Sequence, residues 1–294
     1  MVALVLSISP KPQLLDFKAV EKLKLQNFCA KLLVTSSQHH SFHAAVLCGI
    51  PIPNSRWKSA LQQSSLIHLI VVSGSHLVFI ALLLQVASFP ATFSVILLFL
   101  FSLMTGWQAP VVRALSSWIL RSLQAHHFWR WPADLVCFLS GIALLVIFPS
   151  WWSSLSFLLS WSAALALSFP LPPRVSSTPQ KILLRQLLIF WLLLPLLSLF
   201  TSPHPLSVLV NFFLVPLLSA LLIPYSLLAQ LAPAWTDPGL DHLLHFLELL
   251  ALELRQSPSN LLAHSLARLW LWLFAHHLIA FILRIYLRRN TCAH

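Results

Sequence analysis

Leu66-Ile-His-Leu-Ile-Val-Val-Ser-Gly-Ser-His-Leu-Val-Phe-Ile-Ala-Leu-Leu-Leu-Gln-Val-Ala-Ser88 contains no charged side chain. About 20 apolar residues at 1.5 Å rise cover the hydrocarbon core of a bilayer, so this stretch reads as a membrane helix. Downstream, hydrophobic runs follow with little pause at 91–107, 109–125, 133–149, 151–170, 182–201, 205–232 and 266–287. A weaker candidate, 240–256, is amphipathic and fits the interface. Breaks fall at Pro90, Pro110, Pro132, Pro170-Leu-Pro-Pro173 and Pro203-His-Pro205, because proline removes a backbone donor and ends helices.

Composition agrees with that reading. The 294 residues are 58% hydrophobic and 9% charged, against roughly 25% charged in soluble domains, so most of this surface is solvated by lipid. The expected fold is all-α, a polytopic transmembrane helical bundle with broken or re-entrant helices and room for about seven to nine crossing or half-crossing segments. Three regions are expected: an N-terminal basic amphipathic or interfacial segment over 1–60, a transmembrane domain over 61–287, and a basic tail over 288–294. No internal repeat is evident.

The apolar start, Met1 to Ile8, is too short to span and is followed by Lys11 rather than a cleavage site, so no signal peptide is expected. Lys11, Lys18, Lys22, Lys24 and Lys31 among Leu14, Phe17, Leu23 and Phe28 suit either a helix on a membrane surface or an ordinary solvated one.

The formal charge of +11, with only seven acidic side chains, suits anionic headgroups or a polyanionic cargo. The positive-inside rule places three basic stretches in the cytoplasm: 121–130, 174–185, and the tail with Arg284, Arg288 and Arg289. Residues 237–253, with Asp237, Asp241, Glu248 and Glu253, suit the opposite side. Strict alternation from Arg56 and Lys58 onward cannot satisfy all of these, so at least one run is expected to enter and return. The four cysteines, Cys29, Cys48, Cys137 and Cys292, form no CxxC pair and suggest neither a disulfide framework nor a zinc knuckle.

Only five glycines occur, which makes their positions informative. Gly74 lies mid-run with His68, Ser73, Ser75 and His76 around it. Polar groups at that depth line water or pair with one another. An unwound turn at Ser73-Gly74-Ser75 offers amides and hydroxyls to an anion; a packing notch with both serines bonded to their own helix is the alternative. Pro110 is expected to begin a helix with Arg113 in its first turn, where the guanidinium either meets phosphates beside the positive helix end or snorkels to headgroups. Ser153, Ser156, Ser160 and Ala163 recur at helical spacing, a pattern of tight packing more than of pore lining. Asn211 is a lone amide at depth, suited to an interhelical hydrogen bond, with Pro216 and Pro224 expected to kink the following chain.

Asp241, His245 and Glu248 share a helical face and are weak metal candidates, since interfacial helices carry such residues routinely. The doublets His39-His40, His126-His127 and His276-His277 flank hydrophobic runs and fit loop or headgroup positions. GxxxxGK[ST], HExxH and GxSxG are absent from the sequence, so no ATPase, zincin or common serine hydrolase is indicated. Neither catalysis nor a cofactor is expected.

Ala44-Ala-Val-Leu-Cys-Gly49 followed by Leu61 to Leu77 resembles the LLLG stretch and HLLAISGLH signature of the ComEC-type competence proteins. Gly106 to Ala114 resembles that family's G-x-x-P-x-x-R-A element, Pro149 to Ala164 its DP…FQLSF-x-A element, and Leu209 to Pro216 its NLLAIP element. The matches are colinear over about residues 44–232. Two positions depart: Ser75 stands where leucine is usual, and Ser156-Phe-Leu-Leu-Ser160 lacks the glutamine. Long forms of the family add an OB-like N-terminal domain and a metallo-β-lactamase-like C-terminal domain with an HxHxDH motif; neither is expected here, so strand degradation falls to another protein or is lost.

The resemblance implies an inner-membrane, multi-pass channel passing single-stranded DNA, with His68, Ser73, Gly74, His76, Arg113, Ser160 and Asn211 at motif positions and Ser75 beside them. Its implied partners are single-stranded DNA, membrane lipid, a periplasmic DNA receptor, and a cytoplasmic helicase or single-strand-binding protein. A separate nuclease and further copies of the chain complete the set. The rival readings are a transporter for a small anionic or metal solute, a non-conducting membrane scaffold of the same family, and, more weakly, an intramembrane enzyme without a visible nucleophile and base.

Overall fold

A computed structural model describes residues 19–33, 37, 39–50, 74–127, 131–172, 177–198, 206–253 and 266–291. Within them the chain folds into α1 (Ala19–Leu32), α2 (His40–Cys48), α3 (Gly74–Val86), α4 (Ala91–Met104), α5 (Ala109–His127), α6 (Ala133–Ile147), a 3-10 turn (Pro149–Ser153), α7 (Leu155–Ser168), α8 (Thr178–Leu197), α9 (Leu206–Leu231), α10 (Pro233–Glu253) and α11 (Leu266–Thr291). No strand occurs among the described residues, as the hydrophobic periodicity predicts.

Helix ends follow local chemistry. Pro90 and Pro132 immediately precede α4 and α6, where a missing N–H costs nothing. Ser154 caps α7, its side chain accepting from the Phe157 N–H. Pro110 sits in the first turn of α5 as predicted. α9 remains one helix through Pro216 and Pro224, so the two prolines do not end it.

Side-chain placement is that of a protein in lipid. Ser94, Ser102, Ser140, Ser162 and His76 are buried, whereas Val86, Phe99, Leu183, Trp191 and Ile282 face outward. Small polar groups inside and bulky apolar groups outside are what lipid-solvated bundles require. α8 and the Leu266–Leu287 part of α11 are long and apolar enough to cross a membrane. α4, α6 and α7 have 14, 15 and 14 residues, roughly two thirds of the length a full crossing needs.

The helices α5 to α8 and α11 share two ends. α5 and α6 form a hairpin, tied midway by Ser117 and Ser140 at 2.9 Å. At the start of α6, Asp134 meets Arg284 of α11 at 2.7 Å; past its far end, the Trp152 carbonyl accepts from Trp270 Nε1 at 2.8 Å. α6 and α11 are therefore antiparallel. α7 returns along α6, and α8 runs back along α7 and against α11, where Trp272 Nε1 donates to the Leu192 carbonyl at 3.2 Å. Arg121, Lys181, Arg185 and Arg284 consequently gather at one end, and Trp151, Trp152 and Trp270 at the other. Arg121, Lys181, Arg185 and Arg284, described cations from the three stretches that the positive-inside rule groups together, are thus brought to one end by the fold.

The other half of the bundle packs α2, α9 and α10 around Phe42, Val46, Leu222, Leu240 and Leu247. The α1–α2 hairpin is closed by a Cys29–Cys48 disulfide. That corrects the expectation of no disulfide: the two cysteines are 19 residues apart and meet because two helices cross, which spacing does not reveal.

Candidate functional site

α2 ends at Gly49 in the left-handed region, φ 67°, the conformation glycine adopts at helix ends at no steric cost. Its carbonyl accepts from Gln26 Nε2 at 2.9 Å and Gln108 Nε2 at 2.8 Å. Gln26 Nε2 also donates to the Thr105 carbonyl at 3.2 Å. Gly106, φ 74°, turns α4 into α5, and a methyl group on it would lie 2.5 Å from the Gln26 side chain. Two glutamines, two left-handed glycines and the neighbouring disulfide thus pin the start of α5.

One turn into α5 stands Arg113, 9% exposed. Its Nε donates to Ser160 Oγ on α7 at 2.8 Å, and no carboxylate pairs with it among the described residues. Gly74, the first described residue of α3, packs directly on this turn. A Cβ there would sit 3.1 Å from the Pro110 carbonyl, 3.2 Å from Ala114 Cβ and 3.4 Å from Arg113 Nη2. A guanidinium bonded to one hydroxyl retains donors for an oxyanion, and the adjacent helix start adds positive potential.

Gly74, Arg113 and Ser160 are therefore brought together from three helices. His76 lies two residues along α3 and is fully buried. Ser75 lies in α3 and Asn211 in α9; their side chains, with His68 and Ser73, lie outside the described residues. The serine stripe is corrected: Ser153 belongs to the 3-10 turn and donates to the Ser150 carbonyl, while Ser156 meets Ser154. α7 starts only at Leu155, so the stripe is not one helix face.

Asp241 pairs with His39 at 2.9 Å, and Asp237 accepts from Ser37 Oγ at 2.7 Å, joining α10 to the α1–α2 hairpin. With His245 and Glu248 included, no group of three or more His, Cys, Asp or Glu that could hold a metal occurs among the described residues. Sequence reasoning passed over Gln26 and Gln108. The available signal was Gln108 lying between Gly106 and Pro110; Gln26 had none, since its partners lie 23 and 79 residues away.

A family model described as Competence protein matches residues 53–291. A protein of Aquifex aeolicus (strain VF5), described as an uncharacterized protein, is 33% identical over 174 residues, covering 58% of this chain and 41% of that protein. The chain thus matches about two fifths of that relative's length. No solved structure matches the chain.

Proposed function

Because the chain belongs to the competence protein family, whose role is in DNA uptake, we propose that it is a multi-pass inner-membrane channel passing single-stranded DNA into the cytoplasm. The observation that carries this reading is the convergence of Gly74, the Gly106–Ala114 turn and Ser160 at Arg113, with Gly49 bonded to Gln108 at the start of the same helix. A buried guanidinium with no carboxylate on it among the described residues favours an anion, and a chain of phosphates is an anion presented repeatedly.

One arginine and a few hydroxyls hold each phosphate weakly enough for the next to replace it. We assign no catalytic step to the chain. Without a nucleotide-binding motif, the pulling force comes from a cytoplasmic helicase or single-strand-binding protein, and delivery from a periplasmic receptor. Single strands suit such a path because they are flexible and present one phosphate after another.

The disulfide supports one direction. Such bonds persist in oxidising compartments, and Cys48 adjoins Gly49 at the tryptophan end, where α5 begins. That end then faces the periplasm and the basic end the cytoplasm, in accord with the positive-inside rule.

The test is uptake of labelled DNA in a deletion strain complemented with variants. Arg113→Gln and Gly74→Leu, present in the membrane at wild-type levels, are expected to lower transformation at least tenfold. Normal transformation in the deletion strain, with transport of a small anion lost instead, refutes the channel.

A further inference from the structure

Between α6 and α11, at the basic end of the bundle, lies a groove of about 350 Å³, within the size range of small-molecule sites. Its walls are mainly carbon, supplied by Phe138, Phe274 and Phe281, with Asp134 and Arg284 at the rim and His277 deeper in. We propose that this groove holds one zwitterionic membrane phospholipid, with its phosphate on Arg284, its ammonium on Asp134 and an acyl chain along the phenylalanines. The inference is independent of the channel reading.

Three observations carry it. First, the rim has complementary charge. Arg284 Nη1 contacts both Asp134 oxygens at 2.7 Å, which leaves the Nε and Nη2 donors of the fork without a protein hydrogen bond among the described residues. Each carboxylate oxygen has a second lone pair. An acid and a base side by side match a headgroup with both a phosphate and an amine, better than a purely anionic one.

Second, His277 is 7% exposed, and its Nε2 is buried without a hydrogen-bond partner. The ring is held against Phe138 at 5.1 Å and Trp161 at 5.4 Å, so it does not swing out to solvent. The imidazole therefore stands as a fixed wall at the inner end of the groove beside Phe138, against which an acyl chain packs.

Third, the groove stands where lipid does. Asp134 is in the first turn of α6, Arg284 lies near the end of the Leu266–Leu287 span, and Leu278 and Ile282 on the same helix face outward. Charged side chains at span ends sit at headgroup level, and Arg284 is steadied there by the Phe281 ring at 5.0 Å.

The experiment is native mass spectrometry of the detergent-solubilised full chain, titrated with phosphatidylethanolamine or phosphatidylglycerol. Wild type is expected to retain one phosphatidylethanolamine at least tenfold more tightly than phosphatidylglycerol. Arg284→Gln and Asp134→Asn are each expected to weaken that retention about tenfold. Leu278→Trp fills the groove while leaving the ion pair intact, and should abolish retention without lowering the melting temperature of the lipid-free protein. The proposal is overturned by statistical adducts alone, equal retention of both lipids, undiminished retention by Leu278→Trp, or displacement of the lipid by a single-stranded oligonucleotide.

Discussion

A methyl group on Gly141 would lie 2.2 Å from Cε2 of Trp161, a fully buried ring. Gly141→Ala forces that indole, wedged among Phe157, Trp270 and Phe274, out of place, and overpacking of this kind costs about 1–3 kcal/mol or more. A lowered melting temperature in detergent is the expected result; an unchanged one would show that the ring has room. At Arg113 the prediction separates charge from shape. Arg113→Lys keeps the cation but loses the fork and the Ser160 geometry, so it should retain part of the transformation that Arg113→Gln loses. Ser160→Ala removes the hydroxyl partner and should fall between them. Sequence made Gly74 and Arg113 legible as individuals, because a glycine or a charge within a hydrophobic run is conspicuous, and Ser160 through its resemblance to a family motif position. That they touch was not legible: Arg113 and Ser160 are 47 residues apart and on different helices.

At the scale of elements, the α1–α2 hairpin is held at three places: the disulfide, the Gln26 and Gln108 bonds to Gly49, and the Ser37 and His39 contacts to α10. A crosslink closing a loop of this length contributes about 3 kcal/mol. Cys29→Ser is therefore expected to lower the melting temperature by several degrees. A maleimide probe applied to denatured wild type should label Cys29 and Cys48 only after reduction; labelling before reduction would contradict the bond. Helix positions themselves were readable. The predicted run 133–149 is α6 at Ala133–Ile147, and 91–107 is α4 at Ala91–Met104, because proline stops and apolar runs are local signals. The boundaries that slipped have physical causes. α8 begins at Thr178 rather than 182 because Lys181 and Arg185 are accommodated at the helix end, and α10 begins at Pro233 because it folds back tightly on α9, with Tyr225 donating to the Thr236 carbonyl.

For the whole molecule, the shared end of Arg121, Lys181 and Arg284 predicts a topology. In intact cells a membrane-impermeant thiol reagent should modify Trp152→Cys but not Lys181→Cys, and both once the membrane is opened. Labelling of both positions from one side would break the proposed arrangement. The amino-acid sequence by itself determined the solvent and the fold class, since 58% hydrophobic residues arranged in proline-bounded runs leave only helices in lipid. It also determined which residues are anomalous at depth. Tertiary structure alone decided which of those anomalies meet. The Cys29–Cys48 bond, the Arg113–Ser160 contact and the Asp134–Arg284 pair each depend on where two helices cross, and a crossing is set by packing across the bundle, information that no local window of residues contains.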